Sequence, residues 1–305
     1  MSRHSILVLI LSLCLNTLYT QEFGYNDVQL TNTNADDRYA TYNKDGELIL
    51  FESNRDGRWQ IYTMDINGNG QRRVISSDAN DRRPSWHPYK NMILFESDRS
   101  GTNEIYTYDL NSGSLKQIPI PLEGNKHYPQ FNLNGVELVF SHEVSDEQMD
   151  IYRVHKKGKL LRKLVDNGHI NRYPKTSHRG DFVLYHSNKN NDQETDVVYT
   201  FSNLKDENYK ITFFKDDSKY ATWPTQSNRI LVSTIIEEDL DTYEIYTMQS
   251  DGSRKRRLTF NDNNDTLPHW SPNEINILVT REINGHEQIV KILMKEPIEE
   301  DPDKK

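Results

Sequence analysis

The sequence predicts an all-β protein, a six-bladed β-propeller whose N-terminal strand closes the last blade. Two landmarks that repeat in phase predict this fold, because a period of 44 to 47 residues built from short strands is typical of propeller blades. The first landmark is Pro-x-Trp or a variant of it, at Ala40–Tyr42, Pro84–Trp86, Pro129–Phe131, Pro174–Thr176, Ala221–Trp223 and Pro268–Trp270. The second is an Ile-Tyr pair or its variant, at Ile61-Tyr62, Ile105-Tyr106, Ile151-Tyr152, Val198-Tyr199, Ile245-Tyr246 and Ile289-Val290.

An apolar segment precedes the repeats. Arg3 and His4 stand before the apolar run Ile6–Leu15, which is the order of a secretory signal, and the run is too short to span a membrane. We therefore expect residues 1–20 to be a cleaved signal peptide, 21–295 the propeller, and the acidic, proline-bearing residues 296–305 a disordered tail. The predicted location is the periplasm or the space outside the cell.

Composition narrows the function classes. The chain carries a formal net charge of −9 and has no long Lys/Arg run, which argues against a nucleic-acid partner. The single cysteine, Cys14, lies in the predicted signal, so the mature chain is expected to fold without disulfides. No second apolar run approaches spanning length, so no transmembrane segment is predicted in the mature chain.

The first strand is expected to complete the last blade. Leu30-Thr31 stands ten residues ahead of Ala40, as Leu258-Thr259 stands ten ahead of Pro268, so Val28–Thr31 has the position of an outermost strand. The sixth repeat lacks a fourth strand. Pairing Val28–Thr31 with Gln288–Leu293 would supply it and close the ring, which removes open sheet edges.

Turn residues divide each complete repeat into four strands. In the first repeat the expected strands are Tyr39–Asn43, Glu47–Ser53, Trp59–Asp65 and Arg72–Ile75, with Gly at each corner to allow a positive φ. Longer inserts at Asn188–Glu194 and Glu237–Asp241 predict solvated loop tips, with a calcium site as the alternative.

These residues resemble the WD40-like repeat of the TolB propeller family. The family pattern is matched by Leu258-Thr259, Pro268–Pro272, Phe95–Gly101 and Ile105-Tyr106, and the similarity covers residues 27–293. The resemblance implies the propeller fold. It does not fix a function, because this blade serves periplasmic scaffolds, peptidase gating domains and some lyases. The chain lacks room for the α/β domain that precedes the propeller in TolB itself, and it has no Gly-x-Ser-x-Gly motif of a peptidase.

Basic and tyrosine residues recur just ahead of the first landmark. Equivalent positions of all blades form a ring around the axis, so these side chains are expected to converge at one channel mouth and bind a carboxylate, a phosphate or an acidic peptide. The alternative is that the arginines pair with Asp37, Asp81 and Asp265 as braces between blades. The predicted ligand-binding residues are Arg38, Arg82, His127, Arg172, Lys219, Tyr39, Tyr128, Tyr173 and Tyr220.

Two other sets of residues offer an enzymatic interpretation. Glu52 and Glu96 share one position on second strands and are either an acid/base pair or copies of one structural residue. Resemblance to propeller lyases, which use histidines around a metal, draws attention to His127, His142 and His186.

The prediction is a binding scaffold without a cofactor, for a protein or peptide partner in the cell envelope or an anionic small molecule or glycan. The alternative is a hydrolase or lyase acting on a carbohydrate or lactone.

Overall fold

The computed structural model of the chain describes residues 26–189, 195–212, 216–235 and 242–294. These residues form six four-stranded sheets and contain no helix, so none of them belongs to a helix able to cross a bilayer. The predicted signal peptide, the predicted tail and most of the two predicted inserts lie outside the described residues.

The first three blades follow one another along the chain, after the short strand β1 (Asn26–Gln29). Blade 1 contains β2 (Asp37–Tyr42), β3 (Leu48–Ser53), β4 (Gln60–Asp65) and β5 (Arg72–Arg73). Blade 2 contains β6 (Asp81–Trp86), β7 (Met92–Ser97), β8 (Glu104–Asp109) and β9 (Ser114–Gln117). Blade 3 contains β10 (Lys126–Phe131), β11 (Glu137–Ser145), β12 (Gln148–His155) and β13 (Arg162–Val165).

The last three blades repeat this order, and the sixth borrows β1. Blade 4 contains β14 (Asn171–Thr176), β15 (Phe182–Ser187), β16 (Val197–Ser202) and β17 (Glu207–Lys210). Blade 5 contains β18 (Asp217–Thr222), β19 (Arg229–Ile235), β20 (Glu244–Gln249) and β21 (Arg256–Arg257). Blade 6 contains β22 (Asp265–Trp270), β23 (Asn276–Ile283), β24 (His286–Leu293) and β1.

The predicted ring closure is confirmed. Strand β1 pairs antiparallel with β24, with Asn26 opposite Leu293 and Gln29 opposite Val290. The contact continues past the strand, where the Leu30 amide donates to the Ile289 carbonyl at 2.8 Å. The first and last segments of the described chain are thus hydrogen-bonded in one sheet, and blade 6 has the same four strands as the others.

The core lies between neighbouring blades. One cluster joins Leu50 and Ile61 of blade 1 to Ile93 and Phe95 of blade 2, and corresponding clusters lie between other neighbours. The tyrosine of the second landmark is buried in this layer; Tyr106, for example, stacks on Phe95 with ring centroids 5.9 Å apart. Each second strand contains a buried apolar run, such as Ile49–Phe51, because both of its faces are covered by adjacent blades.

Candidate functional site

Each of the six innermost strands has a β-bulge at the same place. In β2, for example, the pairing with β3 passes from Arg38 directly to Thr41. One residue of each bulge has a φ between 50° and 59°, a left-handed conformation that a residue with a side chain adopts only when its surroundings hold it there. These residues are Tyr39, Arg83, Tyr128, Tyr173, Tyr220 and Leu267.

The four tyrosines of these bulges meet on the propeller axis. The Tyr173 ring lies 6.1 Å from that of Tyr39, 6.0 Å from that of Tyr128 and 5.4 Å from that of Tyr220, measured between centroids. Blades 1 and 4 stand on opposite sides of a six-membered ring, so the contact between Tyr39 and Tyr173 crosses the channel. We call these four residues the tyrosine septum. It lies across the channel, between its two ends.

The predicted basic residues lie at the N-terminal ends of the innermost strands, on one side of the septum. We call Arg38, Arg82, His127, Arg172 and Lys219 the basic collar. In the strand register, each one lies opposite a residue of the second strand of its own blade. These opposite residues are Glu52, Glu96, Ser141, His186 and Ser233. The structure thus brings together all nine residues that the sequence predicted, as one collar above one septum.

Three collar residues already have close partners. Arg38 lies 2.8 Å from Glu52 and also 2.8 Å from Glu287. Lys219 lies 3.0 Å from the Asp217 carboxylate, and its ammonium donates to the Tyr243 hydroxyl at 2.6 Å.

His127 is the third of these residues. Its Nδ1 lies 3.2 Å from Glu96, and its Nε2 lies 3.2 Å from Glu143. Both ring nitrogens of His127 are thus within hydrogen-bond distance of carboxylates of the protein, and the Arg83 guanidinium also lies 3.2 Å from Nδ1.

Two collar arginines are not neutralised in this way. Arg82 has one carboxylate near it, that of Glu52 at 4.0 Å, and its guanidinium lies 5.1 Å from the centroid of the Trp59 ring. Arg172 has no ion pair or hydrogen bond from its side chain to any described residue, although its charge acts on the nearby Asp196 carboxylate. Both side chains are partly exposed.

Glu52 and Glu96 are structural copies of one another. Each carboxylate is buried and accepts the backbone N–H of the bulge residue in the next blade, Arg83 for Glu52 and Tyr128 for Glu96, the latter at 2.9 Å. The bulge removes these amides from the sheet ladder, so the acid supplies the missing acceptor.

The charge of Glu96 is also compensated. Burial alone would raise the pKa of Glu96, but the Arg83 guanidinium and His127 hold it below its ordinary value. Glu96 is therefore an ionised anchor of the collar.

The proposed pairing of collar arginines with Asp37, Asp81 and Asp265 is wrong. These buried carboxylates instead bind arginines of the following hairpins or strands: Arg55 at 2.8 Å, Arg99 at 2.6 Å and Arg281 at 2.6 Å. The contacts of Arg55 and Arg99 make these two hairpin arginines braces within their own blades. These arginines can reach the aspartates because each aspartate begins an innermost strand beside the hairpin between the second and third strands of its own blade.

The three histidines singled out by resemblance to lyases do not converge. His127 is opposite Ser141 and His142 is opposite Lys126, so neighbouring pairs place the two imidazoles on opposite faces of blade 3. His142 packs against Tyr152 at 5.7 Å. His186 is buried against Tyr220 of the septum, and burial lowers its pKa to about 3. In the described part of the chain no three His, Cys, Asp or Glu side chains are grouped as a metal site would require.

Sequence reasoning missed a cavity at the opposite end of the channel. It has a volume of about 400 Å³ and is lined by all six blades at the C-terminal ends of the innermost strands. One feature of the sequence could have indicated this cavity. The middle residue of the first landmark is polar in every copy, although most of the strand around it is buried. These residues are Thr41, Ser85, Gln130, Lys175, Thr222 and His269.

The comparisons with known proteins agree with this architecture. A family model described as the TolB β-propeller domain matches residues 60–226, more than half of the chain. The chain belongs to the TolB β-propeller family. A comparison of its sequence with curated proteins gave no match.

Solved structures similar to this TolB-like propeller share its fold at low sequence identity. TolB from Acinetobacter baumannii is 15% identical with a TM-score of 0.63, over 92% of this chain and 68% of that one. Putative TolB from Agrobacterium tumefaciens is 14% identical with a TM-score of 0.67, over 89% and 98%. An oligogalacturonate lyase in complex with manganese is 14% identical with a TM-score of 0.58, over 88% and 93%. One fold thus accommodates both a lyase and TolB, so function depends on the side chains.

Proposed function

We propose that this TolB-like propeller is an exported binding scaffold whose basic collar takes an acidic segment of a protein partner in the cell envelope. The observation that carries the proposal is the contrast within the collar. Arg38, His127 and Lys219 are engaged by carboxylates of the protein, whereas Arg172 has no such partner among the described residues and Arg82 has only a distant one.

The chemistry of these two arginines favours carboxylates. A guanidinium binds a carboxylate through two parallel hydrogen bonds, and such charge-assisted bonds are about twice as strong as neutral ones. The chain has a net charge of −9, so a long-range attraction to an anion is not expected from the protein as a whole. Recognition would therefore depend on the local cations at the channel mouth.

The placement of the arginines favours a ligand with several carboxylates. Arg82 is in blade 2 and Arg172 in blade 4, with blade 3 and its occupied His127 between them. A single small anion would satisfy one arginine, whereas an acidic peptide lying across the mouth would reach both. The septum below would stop the peptide from entering the far end. An anionic glycan has the same charges and is the alternative ligand.

Among the described residues at this end, no cluster supports the enzymatic alternative. Its three histidines are held by other groups, and Glu52 and Glu96 hold bulge amides and basic side chains. We therefore propose no catalytic role for the collar. The proposed location is the periplasm or the outside of the cell, in keeping with the predicted signal peptide.

A calorimetric titration with a blocked hexaglutamate peptide tests the proposal. The double variant Arg82→Glu/Arg172→Glu is expected to bind the peptide at least about tenfold more weakly, since hydrogen bonds to charged groups are each worth about 1.5–3 kcal/mol. A second titration series uses an oligogalacturonate. Tighter binding of the oligogalacturonate than of the peptide would identify an anionic glycan as the ligand.

A matched control separates the collar from the overall charge. The variant Arg72→Glu/Lys116→Glu makes the same charge change on exposed outermost strands of blades 1 and 2. It should bind the peptide as the wild type does. Equal affinity of the collar variant and the wild type, with both folded by circular dichroism, would rule the proposal out.

A further inference from the structure

The cavity at the far end of the channel is a second, separate binding site candidate. It is lined by the ends of the innermost strands and the residues that follow them, and none of the collar or septum residues lines it. Its volume of about 400 Å³ is within the range of pockets that hold small organic molecules. A ligand there would be reached from the opposite mouth.

Aromatic rings form much of the cavity wall. Trp86 and Trp223 are partly buried, and their indole N–H groups donate to carbonyls of the preceding blade, those of Thr41 at 3.2 Å and Lys175 at 3.0 Å. These bonds hold the two indoles in place. Fixed aromatic faces suit a flat or ring-shaped ligand, because little conformational entropy is lost when the ligand packs against them.

One side of the cavity carries buried polar groups without partners. The Tyr42 hydroxyl, the Thr41 hydroxyl and the Trp270 indole N–H belong to adjacent blades 1 and 6, and these three residues are 7%, 9% and 3% exposed. None of these three groups has a hydrogen-bond partner among the described residues. Buried polar groups normally have partners. The oxygen and nitrogen atoms themselves have almost no accessible surface, so a ligand rich in hydroxyl groups would bond to them after a small shift of the cavity wall.

Blade 4 places a cation in the same cavity. The Lys175 ammonium lies 4.5 Å from the centroid of the Tyr173 ring, just on the cavity side of the septum. No described carboxylate pairs with it, and no Asp or Glu is among the described residues that line the cavity. Burial lowers the pKa of Lys175 to about 8, so the group is mostly charged at pH 7. A partly buried cation without an anion favours an anionic ligand.

We propose that this cavity binds a small hydroxylated carboxylate of the size of one sugar ring, that is, a sugar acid. Its carboxylate would pair with Lys175. Its hydroxyl groups would bond to the unpartnered groups of Thr41, Tyr42 and Trp270, and its ring would lie against the indoles of Trp86 and Trp223. This site is independent of the collar, so it does not rest on the function proposed above.

A calorimetric comparison of D-glucuronate with D-glucose tests the proposal, because the two differ only in the acid group. At pH 7 glucuronate should bind with 1:1 stoichiometry and at least about tenfold more tightly than glucose. In Lys175→Gln this preference should disappear. Lys44→Gln removes an exposed lysine of the same cavity rim, which already pairs with Asp45 at 2.6 Å, and should leave the preference unchanged.

A pH series checks the role of the ammonium. Glucuronate affinity should fall about tenfold between pH 7 and pH 9 as Lys175 loses its proton, while glucuronate itself stays ionised. The pKa of His269 is lowered to about 3 by burial and by Lys175, and that of His87 is lowered by burial, so neither gains charge in this range. The other titratable groups around the cavity are Tyr42, Tyr173, Lys44 and His178.

Three results would overturn this proposal. They are no binding of glucuronate at about 10 mM, equal affinity for glucuronate and glucose, or tighter binding of benzoate, which would indicate an aromatic acid. The collar variant Arg82→Glu/Arg172→Glu should bind glucuronate normally. A loss of hexaglutamate binding without a loss of glucuronate binding would therefore concern the collar alone.

Discussion

The two ends of the channel are built from the same strands but differ in how their polar groups are used. At the collar end, carboxylates of the protein hold three of the five basic residues, and buried Glu52 and Glu96 also hold bulge amides. At the cavity end, the Lys175 ammonium has no carboxylate partner among the described residues. The two ends therefore differ in their charged groups: carboxylates of the protein stabilise most basic residues of the collar, whereas the Lys175 cation lowers stability unless an anion binds it.

The largest expected effect is at the paired end. Glu96→Gln should lower the free energy of unfolding by about 3–5 kcal/mol at pH 7, because it leaves the Arg83 guanidinium without its buried countercharge. Urea denaturation measures this loss. Since the folded-state pKa of Glu96 is lowered, its contribution is complete above the unfolded pKa of about 4.3 and is lost as pH falls through the folded pKa. The difference between variant and wild type should therefore shrink in acid.

Glu143→Gln is the matched control for that variant. Glu143 binds the same His127 at 3.2 Å, but its side chain is 33% exposed, so its loss should cost less than about 1 kcal/mol. If Glu96→Gln lowers the free energy of unfolding no more than Glu143→Gln does, the buried carboxylates do not stabilise the fold as described above.

A smaller effect of opposite sign is expected at the cavity end. Lys175→Met should raise the free energy of unfolding by about 1–3 kcal/mol at pH 7, since it removes a cation whose pKa burial lowers to about 8. The gain should decrease as pH rises, because the wild-type lysine then folds uncharged. Lys44→Met at the exposed rim should change stability by less than about 0.5 kcal/mol. A destabilised Lys175→Met protein would show that Lys175 is a packing or hydrogen-bonding residue.

Much of the fold could be predicted from the sequence because the blade repeats. Two landmarks in phase fixed the number of blades, and the position of Leu30-Thr31 ahead of Ala40 fixed the closing strand. The collar was predicted for the same reason, since equivalent positions of a ring must converge. The first strand of blade 1 begins at Asp37, two residues before the predicted Tyr39, and includes the bulge residue itself.

The partners of the collar could not be predicted, because they depend on contacts across blades. Arg38 binds Glu287, which is 249 residues away in sequence, and Glu96 binds the backbone of Tyr128 in the next blade. The septum also escaped prediction. Nothing in the sequence shows that Tyr39 has a positive φ. In the structure Tyr39 has this conformation and contacts Tyr173 across the axis.

The central claim is that the septum leaves two independent sites in one channel. A competition titration tests it most directly: hexaglutamate is titrated into the wild-type protein with and without saturating D-glucuronate. Two separate sites predict peptide affinities that agree within about twofold, since a coupling free energy near zero leaves both affinities unchanged. A peptide affinity that falls at least about tenfold when glucuronate is present would contradict the claim, because the two ligands would then share one site or communicate through the septum.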